Sequence, residues 1–210
     1  MATFAVSGSG ARNRLWQWAS PALLVVALAS CSTNATNTTT STRPSLDLKA
    51  VVLTVRELPP GYSAAPLADS GIPPCNFEHE LTSGAVDRVQ VVFASATDAP
   101  FFSELLVGQP ADRVATAYSK SVERLRGCHS FDTGANGLGK MTGRPFAFPS
   151  VGDASAGFRF VVTAGIEVPQ WLVVARFGDA VAAFNGIGGS APQFEKLVRA
   201  ASAKITQASV

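Results

Sequence analysis

Residues 158–185 alternate in a way that leaves little choice of structure. Phe158, Phe160 and Val162 share one side of an extended segment, and Trp171, Val173, Ala175 and Phe177 share one side of the next. A hydrophobic period of two is the signature of a strand. Gly178-Asp179 then separates the second run from Val181 to Asn185. That dipeptide suits a two-residue hairpin, so the chain doubles back antiparallel to itself.

The same period recurs earlier. Val89, Val91 and Phe93 alternate with Gln90, Val92 and Ala94, and a turn at Asp98-Ala99-Pro100 leads into a second apolar run, Phe101 to Val107. Cys128 to Asp132 and Met141 to Phe148 read as shorter strands. Two stretches change to a helical period. Pro110 opens the first and Gly127 closes it, the order these residues favour. Val114, Ala117, Tyr118, Ser121, Val122 and Leu125 form its apolar face. The second is capped by Ser190-Ala191-Pro192-Gln193 and carries the stripe Phe194, Leu197, Val198, Ala201 and Ile205. Thr54-Val55-Arg56-Glu57 has capping-box spacing and predicts a brief helical turn ended by Pro59-Pro60-Gly61. Residues 62–87 show no period and read as mostly loop, held down by Cys75. Adjacent strands with few helices between them predict an α+β fold, an antiparallel sheet packed against two main helices.

The start of the chain obeys different rules. Arg12 and Arg14 precede an apolar run, Pro21 to Leu28, which Leu28-Ala29-Ser30-Cys31 closes. A basic start, a short apolar run and small residues at a cleavage point define a secretory signal. The last four residues resemble the lipobox of bacterial lipoproteins. That resemblance implies removal of residues 1–30, acylation of the Cys31 thiol, and a place on the outer face of the cytoplasmic membrane. The run is short of the roughly 20 apolar residues a membrane-spanning helix needs, which disfavours an uncleaved anchor. Residues 31–46, the acylated cysteine and a Thr-, Ser- and Asn-rich stretch, predict a flexible tether. The folded domain is then 47–210.

Charge narrows the partners. The chain has 17 basic and 15 acidic residues; without Arg12 and Arg14 the two are equal, and no basic stripe stands out. Nucleic-acid binding has no electrostatic basis here. With Cys31 used for lipid, Cys75 and Cys128 remain. An oxidising compartment favours a bridge between them, the rival being two buried free thiols.

Catalytic signatures are weak. Gly134-Ala135-Asn136-Gly137-Leu138-Gly139-Lys140 has the glycines and lysine of a phosphate loop, but Met141 stands where the metal-binding hydroxyl belongs and no helix follows. Cys75, His79, Cys128 and His129 include zinc-ligand types, yet a disulfide consumes the thiolates. No Gly-x-Ser-x-Gly elbow occurs, and Gly152 to Gly157 reads as a turn before a strand. Glu78 and Glu80 flank His79 and read as solvated carboxylates pointing apart. The expectation is a non-enzymatic protein with no cofactor and no metal.

Leu58-Pro59-Pro60-Gly61-Tyr62, the helix ending at Cys128, Val151-Gly152-Asp153 and Arg176-Phe177-Gly178-Asp179 together touch most of the chain after the tether. With the lipobox and tether, this layout resembles a group of actinobacterial lipoproteins and the extracellular sensor domains of mycobacterial serine/threonine kinases. The resemblance implies an antiparallel sheet flanked by helices, with a groove that binds a ligand. Those kinase domains carry more than one disulfide, whereas this chain can form one. It has no kinase domain, so any signalling runs through a partner.

Of thirteen Phe and three Trp, Trp16 and Trp18 lie in the signal and Trp171 remains. Most aromatics belong in a core. Phe101, Phe102, Phe146, Phe148 and Trp171 are the candidates for an apolar ligand site between sheet and helix. The functional expectation is a membrane-anchored binding or sensor-type domain that engages a protein partner or a small apolar envelope ligand. The alternative is a carrier with a lipid-sized cavity.

Overall fold

In a computed structural model, residues 46–67, 73–96, 101–133, 139–163 and 167–209 are described. Cys31, the tether, the turn at Asp98-Ala99-Pro100 and most of the Gly134–Lys140 stretch lie outside them.

The strands are β1 (Tyr62–Ala64), β2 (Asp87–Ser95), β3 (Phe101–Gly108), β4 (Ser130–Asp132), β5 (Lys140–Phe146), β6 (Ala154–Thr163), β7 (Glu167–Phe177) and β8 (Ala180–Ile187). They form one antiparallel sheet in the order β1-β2-β3-β8-β7-β6-β5-β4. The helices are α1 (Leu48–Val51), α2 (Glu78–Thr82), α3 (Val114–Arg126) and α4 (Ala191–Ala208). After β3 the chain crosses the sheet through α3, reaches the far edge at β4, and returns strand by strand until β8 lies beside β3. The fold is α+β.

Both faces of the sheet are covered at β3, β8 and β7, which explains the near-continuous apolar runs in β3 and β7. Val173, Ala175 and Phe177 face α1 and α4 in one core, with Phe102, Phe184 and Leu197. Leu172 and Val174 face the α2 and α3 side in the other, with Phe158, Phe160 and Leu125. Phe177 pairs with Ala180 across Gly178-Asp179, the expected two-residue hairpin. In α4 the whole predicted stripe is buried, and Ser190 and Gln193 form a reciprocal capping box. The first main helix begins at Val114, after a turn in which Arg113 N–H donates to Pro110 C=O.

The described parts of 62–87 are more ordered than a loop: they contain β1, a 3-10 turn at Pro74–Asn76, and α2. These elements are too short to show a period and owe their structure to distant partners. β1 pairs with β2. Cys75 is bonded to Cys128, with Cα atoms 6.0 Å apart. Arg124 of α3 donates to the Cys75 carbonyl at 2.8 Å and to Glu80 at 3.2 Å. This clamp surrounds two non-glycine residues at positive φ, Cys75 and Asn76, a strained conformation that persists only where neighbours over-determine it. Glu78 and Glu80 correct the expectation of merely solvated carboxylates. They lie on α2, and ion pairs with Arg88 and Arg124 engage them.

Two motifs behind the family resemblance meet in space. Gly178 N–H donates to the Asp153 carboxylate at 2.8 Å, and Arg176 lies 3.7 Å from it. Gly152 is at positive φ beside them, and a Cβ there would stand 2.3 Å from the Arg176 carbonyl.

Candidate functional site

α4 lies across β3, β8 and β7 and leaves β6 and β5 open on the same face. Strand register aligns a row of side chains across this boundary. Arg144 is opposite Arg159, Arg159 opposite Trp171, Trp171 opposite Gly186, and Gly186 opposite Phe102. Gly186 leaves the space that Phe194 of α4 occupies: a Cβ there would be 2.6 Å from the ring. The row thus runs from two guanidinium groups at the open end to packed aromatics under α4.

At the open end lies a groove of about 440 Å³ lined by Thr142, Gly143, Arg144, Arg159, Val161 and Glu167. Arg159 lies over the Trp171 ring at 5.3 Å, a cation–π contact. Its guanidinium also pairs with Glu167 at 3.0 Å. Arg159 Nε and Trp171 Nε1 are both buried with no hydrogen-bond partner. Arg144 is exposed and, among the described residues, has no acidic partner. Like charges directly opposite on neighbouring strands repel. The groove thus holds two guanidinium groups and one carboxylate, which pairs with Arg159. Planar guanidinium forks match carboxylate and phosphate oxygens. Among the described residues the groove lining holds no histidine or cysteine.

The candidate aromatics divide. Phe146 contacts Phe148 at 5.8 Å and Trp171 at 5.3 Å, and Phe148 contacts Phe194 at 6.2 Å. Phe102 is fully buried between Phe184 and Phe194. Phe194 therefore links four of the five candidates into one cluster, with Phe146, Phe148 and Trp171 half-buried at its margin. Phe101 stands apart at the start of β3, beside a space of about 10 Å³, room for about one water. Cys75 and Cys128 belong to the core on the α2 and α3 side of the sheet, where their bond ties the turn before α2 to the end of α3. Lys140 and Met141 begin β5, where a phosphate loop would need a helix.

Two groups escaped the sequence reading. Arg144 and Arg159 look like ordinary outward residues until register sets them face to face. Glu104 lies inside the apolar run of β3 and is fully buried. Leu53 N–H donates to its Oε2 at 2.9 Å, and Oε1 has no partner. Burial pushes its carboxyl up to about 7, against the opposing pull of the Leu53 hydrogen bond and Lys204. Here the signal was present: a lone carboxylate in a strand apolar on both faces.

No family model and no curated protein matches the chain. Solved structures do. The extracellular domain of PknH from Mycobacterium tuberculosis aligns with a TM-score of 0.60 over 77% of this chain and 93% of that one, at 13% identity. The two share a fold. A putative uncharacterized protein from Mycobacterium smegmatis, the Rv0999 ortholog, aligns at 0.45 over 78% of this chain and 99% of its own, also at 13% identity. The fold implied by the sequence resemblance, an antiparallel sheet flanked by helices, is the fold found.

Proposed function

We propose that this chain is a non-enzymatic binding domain of the cell envelope, anchored through acylated Cys31 on the outer face of the cytoplasmic membrane. The observation that carries the binding role is the open groove beside α4, where two guanidinium groups lie opposite each other and only Arg159 is paired with a carboxylate, Glu167. Such an arrangement leaves cationic hydrogen-bonding capacity for an outside group and offers no nucleophile with an adjacent base. The leader and its Leu-Ala-Ser-Cys close support the address. So does the fold shared with a domain described as extracellular. Among the described residues no helix is long and apolar enough to cross a membrane.

Fractionation of cells producing the full chain and its Cys31→Ala variant tests this. The parent protein is expected in the membrane fraction and cut by protease added outside the cytoplasmic membrane. The variant is expected to lose the membrane association. A variant that stays with the membrane, or a parent protein shielded from the protease, contradicts the reading.

A further inference from the structure

We propose that the groove between β5, β6 and β7 binds a small amphiphilic anion. A single phosphate or carboxylate would be held by Arg144 and Arg159, with an apolar body against Trp171 and Phe146. The inference deepens the binding role proposed above by naming the ligand's chemistry.

Four observations converge. Arg144 and Arg159 are directly opposite across β5 and β6, so both guanidinium groups reach one bound oxyanion. Glu167 pairs with Arg159 alone, leaving the groove one positive charge in excess, which fits a ligand bearing one oxyanion. Arg159 is held in place by its stack on Trp171 and by Glu167; a guanidinium fixed before binding loses less entropy when it binds. Finally, Trp171 continues the row from the arginines towards α4, and Phe146, two residues along β5 from Arg144, packs 5.3 Å from it; both are half-buried, which gives an apolar body a surface next to the charged site. A volume of about 440 Å³ lies within the range of small-molecule sites.

The test is a titration of the full chain, purified in detergent, followed by the Trp171 indole N–H resonance, which is identified by its loss in Trp171→Phe. The probes are phenyl phosphate, benzoate, phenol and inorganic phosphate. Phenyl phosphate or benzoate is expected to bind saturably and about tenfold or more tighter than neutral phenol, since a charge-assisted contact is worth that much. Comparing the two anions tells which oxyanion the fork prefers. Inorganic phosphate is expected to bind more weakly than phenyl phosphate. Arg144→Gln, at an exposed position where folding is not at stake, is expected to weaken the anions about tenfold and leave phenol unchanged. The proposal is overturned if no anion binds saturably, if phenol binds as well as the anions, if inorganic phosphate matches phenyl phosphate, or if Arg144→Gln has no effect. Acylation at Cys31 does not enter this titration, so its failure and a failure of membrane anchoring are separate results.

Discussion

Glu104 is the residue with the clearest energetic signature. Its folded-state carboxyl is raised from an ordinary 4.5 to about 7, chiefly because burial disfavours the charge. The fold thus favours the protonated form. Its contribution to stability is fully present below pH 4.5, is lost as pH rises to about 7, and then stays lost. The loss is on the order of 3 kcal/mol. Glu104→Gln retains an acceptor for Leu53 N–H and removes the titration. Thermal unfolding of parent and variant between pH 4.5 and 8 is expected to show a falling melting temperature for the parent and a flatter profile for the variant; equal slopes would contradict the assignment. The arginine pair is a different kind of residue-scale fact. A carboxylate amid Phe102, Leu105 and Leu106 can be noticed in the sequence, but nothing in the neighbourhoods of Arg144 and Arg159 says that these two residues, fifteen apart in the chain, will pair in that register.

Among the elements, α4 carries its instructions locally. Ser190 and Gln193 close its first turn, and the stripe from Phe194 to Ile205 buries one face, all visible in the consecutive residues from Ser190 to Ile205. Its seat on the sheet depends on Gly186, because Phe194 occupies the volume of the missing side chain. Gly186→Val is expected to force that ring away and cost about 1–3 kcal/mol of stability, read as a lower urea midpoint with an unchanged slope. α2 and β1 are the contrary case. Each is short, its neighbours in sequence carry no pattern, and its structure comes from β2, α3 and the bond to Cys128. Closing a separation of 53 residues removes chain entropy worth roughly 4 kcal/mol. Reduction is therefore expected to lower the unfolding free energy by about that amount, measured in urea with and without reductant. The Glu80–Arg124 ion pair is exposed and contributes little by itself.

For the whole molecule, the decisive property is a sheet covered on one face along most of its width and open on that face at β5 and β6. Alternation and hairpin chemistry made the strands and the antiparallel class legible. They did not specify that β8 lies beside β3, because a strand apolar on both faces fits several neighbours equally well; the α3 crossover decides it. The aromatic cluster was legible as a set of residues, since four of the five candidates meet through Phe194. Its charged margin was not, because it exists only after β5, β6 and β7 are in register. In the proposed function this open groove is joined to an address outside the cytoplasm.

The most direct test of that join is the intact denatured mass of the protein purified from its own membrane. The account predicts a chain beginning at Cys31, heavier by its acyl groups and lighter by the two hydrogens lost in joining Cys75 to Cys128. A mass that begins at Met1, or one that begins at Cys31 without lipid, would contradict it.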